Sequence, residues 1–444
     1  MHTEELFSKY RQIVNSEPEK YLQDYRKVEE AVRQSSARYL GDPIDFLYQP
    51  MFFSPEDISW LKEVLEDLFL ILNKTVTKYL RDQRFREKFP FSPEAEELIQ
   101  IDPGYHEPFP IARFDVFYDF NGHLQFCEFN TDGSAGMNEA RVLQREIGNS
   151  KAMEWLGNKY EVRTYSPLKN LIDEIMGLYW RYTGEKKPPQ RIAIVDFEGE
   201  GIESEFRKFQ KEFQDRGYRA VICDPRELVY DGDRLVCGSG PVDLIYRRAT
   251  TRRIIDRYSK VQDFLQAYRE GNVCVVGGFT SQIVHSKSLF AILQEEGYTD
   301  YLTSEERDFI GRHFPESQIF REGDSELRGK LLENKDDYLL KPFDQFAGHG
   351  VFVGRDFSPE EWEEKLDQVQ GKNYIAQKFC DLAEKEFLYQ QDGELRFEKF
   401  GYVIGLFSYN RKLRGLYTRA GRENVIASLA ECFTLPNFVV KEVT

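Results

Sequence analysis

The chain has 444 residues, more than one hydrophobic core ordinarily serves, so two or three structural units are expected. Its 41% hydrophobic, 14% aromatic and 31% charged residues describe a globular protein and exclude a disordered or fibrous one. A net charge of -16 excludes a general nucleic-acid binder, which needs clustered cations against phosphates.

In chain order, residues 1 to about 100 carry apolar positions at helical spacing, in LFSKYRQIV and in DISWLKEVLEDLFLILNKTVTKYL. Ser54-Pro55-Glu56-Asp57 predicts a helix start, with a capping hydroxyl, a proline at the first helical position and acids against the helix dipole. The N-terminal MHTEELFSKYRQIV has no basic stretch followed by an apolar run, so no signal peptide is expected and a cytoplasmic location is. The longest apolar stretch, LFLILNKTV, is too short and too polar to span a bilayer, so no membrane partner is expected. From Ile111 the pattern changes to two strands, ARFDVFYDF and HLQFCEFNTD, joined at Asn121-Gly122, a dipeptide suited to the positive φ of a tight hairpin turn. Residues 140–185 read as helical again, with a start at Ser166-Pro167. Between about 190 and 280, β-rich runs (RIAIVDFEG, RAVICDP, VDLIYRR, NVCVVGG) alternate with helical ones, the rhythm of a parallel α/β unit. Beyond Ser286 come a helix (KSLFAILQEE), the strand DYLLKP, a glycine-bearing turn, a helix from Ser358-Pro359, and the strands YIAQKF, FGYVIGLFSY and RGLYTRAG. The fold class is α/β (α+β). Six cysteines without CxxC spacing, several inside apolar runs, read as reduced thiols.

Three groups of residues carry chemistry. In the hairpin, Asp115 lies six residues before the turn and Glu128 six after it, so the two face each other across the ladder. Arg113 shares a face with Asp115, and Asn130 with Glu128, because the side-chain period of a strand is two. Two adjacent carboxylates call for a divalent cation or a proton between them; a cross-strand network in which Arg113 pairs both acids is the equal alternative. The second group is Lys287 and Lys341. A lysine that ends an apolar strand before a glycine-bearing turn can reach phosphate, while Gly348 and Gly350 allow backbone amides to approach it; equally, those glycines shape a hairpin turn. The third is Arg419, with Arg422, near the C-terminus, where a guanidinium fork suits phosphate or an oxyanion. A further basic run, VDLIYRRATTRR, offers Arg247, Arg248, Arg252 and Arg253 either to an anion such as a peptide carboxylate or to solvent.

Together these segments resemble the synthetase domain of glutathionylspermidine synthases and, more distantly, eukaryotic-type glutathione synthetases, both of the ATP-grasp superfamily. The likeness runs from about 111 to 444 and is most specific in RFDVFYDFNGHLQFCEFNTD. It implies a circularly permuted ATP-grasp architecture behind an N-terminal helical segment (1–100). The hairpin part (101–185) would be followed by an α/β substrate domain (186–285), then a nucleotide-binding part with the C-terminal catalytic strands (286–444). By that resemblance Asp115, Glu128 and Asn130 are magnesium ligands and Arg113 lies beside the transferred phosphate. Lys287 and Lys341 bind ATP, and Gln377, Lys378 and Phe379 line the adenine pocket, the last two through backbone groups. Arg419 stabilises the acyl-phosphate and tetrahedral intermediate. The implied function is an ATP-dependent carboxylate–amine ligase that joins a small-molecule or peptide carboxylate to an amine. A catalytically silent nucleotide-binding protein and an enzyme with a non-amine acceptor are the alternatives. Two departures stand out. The loop after Lys341-Pro342 reads FDQFAGHG, which moves its carboxylate to Asp344 or replaces it with Gln345, and the first hundred residues hold no Cys-His pair for an amidase. Loop 343–350, with its phenylalanines, is the candidate lid.

Overall fold

The computed structural model describes residues 3–238, 240–345, 348–427 and 431–442. Its centre is an antiparallel sheet in the order Phe433–Leu435, Lys412–Gly421, Glu394–Tyr409, Ile111–Tyr118, Leu124–Asn130, with Glu384–Gln391 paired to the first half of the long strand. The strand Ile111–Tyr118 is almost wholly buried, its Phe114 and Val116 lying in the core with Phe126 and Phe129 of the partner strand. Asp115 pairs with Glu128 and Arg113 with Asn130, as the spacing requires, with a bulge after Asp115. The connection differs from the expected tight turn: residues 119–123 form a longer loop in which positive φ falls on Phe120 (64°) and Gly122 (91°) rather than on Asn121. Asp119 explains this, because its side chain accepts from the amides of Asn121 and His123 and organises the loop itself.

A second antiparallel sheet, ordered Ser317–Ile319, Tyr374–Lys378, Tyr338–Pro342, Phe352–Val353, lies behind the helix Pro359–Val369, which Ser358 starts with a capping box. The expected parallel unit is present: Cys274–Val276, Leu244–Arg247, Ile192–Val195 and Ala220–Cys223 are adjacent in that order and all parallel. The helix expected over KSLFAILQEE is confined to Ser288–Ile292.

The first hundred residues are not a separate layer. Ser54 caps the helix Pro55–Arg81 as expected and forms a capping box with Asp57; the helix buries Leu61, Leu65, Leu68, Phe69 and Leu72. The Phe69 ring lies 5.5 Å from those of Phe109 and Phe114, so this helix backs the central hairpin. Upstream, Met51–Phe53 runs parallel to Asn437–Val439, whose strand also pairs with Tyr160–Arg163. All six cysteines are free, with Cys223, Cys237 and Cys274 buried. Among the described residues no helix is long and apolar enough to cross a membrane.

Candidate active site

A cavity of about 390 Å³ opens where the three sheets meet. The central sheet supplies Arg113, Glu128, Asn130, Tyr417 and Arg419; the second sheet supplies Lys341, Gln377 and Lys378; Asp196 and Arg248 enter from the carboxyl ends of the parallel strands. The C-terminal end of parallel strands is where α/β proteins place ligands, because loops and helix starts converge there.

Asp115 is 1% exposed and lies beneath the cavity floor. Its Oδ1 accepts from Arg113 Nε at 2.7 Å, and its Oδ2 accepts from Arg113 Nη2 and from Arg419 Nη2, both at 2.9 Å. Both oxygens therefore accept from guanidinium groups, and Asp115 is the counter-ion that holds two arginines in this arrangement. Arg113 is further pinned by donation to the Ala135 carbonyl at 2.8 Å. The cluster needs Gly405, which is register-paired to both Asp115 and Tyr417: a Cβ there would sit 2.8 Å from Arg113 Cδ and 3.0 Å from Asp115 Oδ1. A glycine inside a strand signals such a close approach, and FGYVIGLFSY carried that signal unread.

Glu128 and Asn130 do reach the cavity. Asn130 Nδ2 donates to Glu128 Oε1 at 3.1 Å, and Lys287 Nζ stands 3.4 Å from Glu128 Oε2. Burial pushes the Glu128 carboxyl up, but Lys287, Arg419 and Arg113 outweigh it and hold the group below the ordinary carboxylate range. Lys287 also donates to the Gln345 carbonyl at 2.8 Å. Lys341 donates to Gln377 Oε1 at 2.8 Å, and Gln377 in turn donates to Ser317 Oγ at 2.9 Å, so this lysine is buried with its head held at the cavity wall.

Lys378 and Phe379 line the cavity as expected, with their amides donating to the carbonyls of Glu316 and Asp337, each at 2.7 Å. Gly348 lines the cavity at φ 80°, whereas Gly350 lies off it and packs against Tyr374, as a turn residue of the hairpin between Tyr338–Pro342 and Phe352–Val353. In the candidate lid, Phe343 is buried against Ala291 and Ile375, so it is core and not a shield; Phe346 lies outside the described residues. Asp344 accepts from Gln282 at 2.9 Å and does not face the cavity, while Gln345 does. The arginine run is no solvated turn: Arg247 is buried in an ion pair with Asp132 at 2.7 Å, Arg248 and Arg253 line the cavity, and Arg252 donates to the Asp344 carbonyl at 2.6 Å. Arg422 pairs with Glu398 and Glu431 away from the site.

Sequence reading missed Tyr39, Glu139 and Tyr417, which complete the wall. Among the described residues no group of three or more carboxylate, imidazole or thiol side chains converges as a ready metal cage. Glu128, kept ionised, and the carbonyl oxygen of Asn130 nevertheless form a pair of hard oxygen donors of the kind that shares a magnesium ion with ligand phosphates.

In fold the chain is similar to a glutathione synthetase-like effector from Globodera pallida, at 10% identity and a TM-score of 0.59, covering 95% of this chain and 98% of that one. A putative gamma-glutamylcysteine synthetase from Methylobacillus flagellatus aligns at 12% identity and a TM-score of 0.43, over 84% of this chain and 88% of that one. No curated protein matches the sequence. Residues 96–415 match the circularly permuted ATP-grasp type 2 family, and the chain belongs to it.

Proposed function

We propose that this chain is an ATP-dependent carboxylate–amine ligase, which activates a carboxylate as an acyl-phosphate and transfers the acyl group to an amine. The observation that carries this reading is one cavity holding two buried lysines, an ionised carboxylate–amide oxygen pair and two anchored arginines. In it Lys287 and Lys341 offset the triphosphate charge, as fixed cations do in phosphoryl transfer. Glu128 and Asn130 would hold a magnesium ion, which would supply charge neutralisation to bound phosphate. A free carboxylate is unreactive towards amines, so the substrate carboxylate first attacks the γ-phosphorus. Arg113 and Arg419, locked by Asp115, keep their forks oriented, and preorganised cations of this kind stabilise developing negative charge. Arg419 then faces the oxyanion formed when the amine adds, and phosphate leaves.

The glutathionylspermidine synthase-like resemblance places peptide carboxylates and polyamines among the substrates to try. The test is release of ADP with a panel of amino acids, small peptides and polyamines, with and without magnesium. Acid-dependent, magnesium-dependent ADP release that E128Q abolishes is expected. Release from no acid in the panel, or E128Q working at the wild-type rate, would sink the reading.

A further inference from the structure

Glu139 is a carboxylate that the ligase chemistry above does not use, yet it lines the same cavity and is only 6% exposed. It sits in the first turn of the helix Met137–Gly148, and Gly136 before it adopts φ 103° against the Tyr417 ring, which a Cβ would touch at 3.0 Å. The Tyr417 hydroxyl donates to Glu139 Oε2. The same ring lies beneath both catalytic arginines, with Arg113 5.3 Å and Arg419 5.9 Å from its centroid. Glu139 is therefore one tyrosine ring away from the two cations proposed to hold the phosphate and the oxyanion.

The charged groups around it are few. Tyr417 faces it from the central sheet together with Arg113 and Arg419, and Glu205 faces it from the helix Glu203–Asp215. Glu205 is itself engaged by the amides of Gly136 and Asn138 and by Arg248. Burial foremost, opposed by the Tyr417 hydrogen bond and assisted by Glu205, pushes the Glu139 carboxyl up to about 7. A carboxylate so tuned exchanges a proton near neutral pH, where most alkylamines are ammonium ions and cannot attack an acyl carbon.

Resting on the ligase reading, we propose that Glu139 is the general base of the amine-transfer step. One proton passes from the substrate ammonium to the Glu139 carboxylate. The freed nitrogen lone pair forms the C–N bond, and the acyl C–O bond breaks with its electron pair going to phosphate. The second nitrogen proton leaves with phosphate as hydrogenphosphate, and Glu139 returns its own proton to solvent.

The experiment compares wild type with E139Q, using the best acid and alkylamine of the panel and, in parallel, hydroxylamine, which is already unprotonated at neutral pH and forms a hydroxamate. Wild-type ligation should rise with pH through about 7. E139Q should lose ligation on the order of 100-fold near neutral pH and lose the bend near 7, its residual rate following only the free-amine fraction of the alkylamine, while hydroxamate formation falls at most a few-fold. Equal losses with both amines, or an unchanged bend in E139Q, overturn the proposal. Should E139Q fail to fold, Y417F carries the test: loss of the donor that favours the ionised carboxylate moves the bend to higher pH, and an unmoved bend overturns it. Absence of any acid-dependent ADP release in wild type instead overturns the ligase reading, and this base with it.

Discussion

Asp115 shows how a single buried carboxylate can hold two arginines in place. Removing it leaves Arg113 and Arg419, both buried, without their counter-ion, and breaking such a pair from one side costs about 3–5 kcal/mol. D115A is therefore expected to lower the unfolding free energy by about that amount as well as activity, whereas E128Q, whose side chain is 25% exposed at the cavity wall, loses activity with far less stability; urea unfolding of the two separates the roles. G405A tests the same cluster from the other side. Its methyl would overlap Arg113, so ADP release should fall at least about tenfold from a displacement of only a few tenths of an ångström. Glu139 has a stability signature of its own. Its folded-state pKa, raised to about 7, lies above that of an unfolded glutamate, near 4.3. The folded state holds the extra proton between these values, so this group's contribution is complete below about pH 4.3 and is lost as pH rises through about 7. Denaturation midpoints across that window should fall less in E139Q than in wild type.

At the scale of elements, the helix Pro55–Arg81 is hydrogen-bonded to the central hairpin through Asp57. Asp57 accepts from the Ser54 amide and hydroxyl and from Thr3 through Oδ2, and from the Tyr118 hydroxyl of the hairpin strand through Oδ1, all within 2.8 Å. S54A removes one cap and should cost about 1 kcal/mol. D57A strands several buried donors at once and should cost clearly more, at least about 2–3 kcal/mol by thermal or chemical unfolding. The sequence showed the cap, since Ser-Pro-Glu-Asp states its own local geometry. It did not show the tie to Tyr118, which lies 61 residues away. The hairpin behaved the same way. Its register followed from counting, but its turn did not, because the Asp119 side chain organised a loop that outweighed the preference of Asn121-Gly122 for a tight turn.

At the scale of the whole molecule, segments far apart in sequence meet in one small sheet, where Met51–Phe53 runs beside Asn437–Val439. Phe52, Phe53 and Phe438 are all buried there. A chain lacking residues 1–100 would expose this sheet and the back of the central hairpin together. It should not yield soluble folded protein, to be checked by expression and circular dichroism; a stable truncated form would show that the helices are an independent appendage.

What the sequence by itself determined is what depends on near neighbours: helix starts, the two-residue alternation that placed Asp115 opposite Glu128, the alternation of strand and helix, and the lysines that end buried segments. Only the tertiary structure decided how those pieces are used. Asp115 became an anchor because Arg419, 304 residues away, arrives at its second oxygen. The amides of Lys378 and Phe379 were claimed by the neighbouring carbonyls of Glu316 and Asp337. Glu139 acquired its environment from Tyr417 and Glu205, on a strand and a helix far from it in sequence. Whether a carboxylate binds metal, pairs a cation or takes a proton is set by the charges and the burial around it, and in this chain those come from segments that meet only on folding.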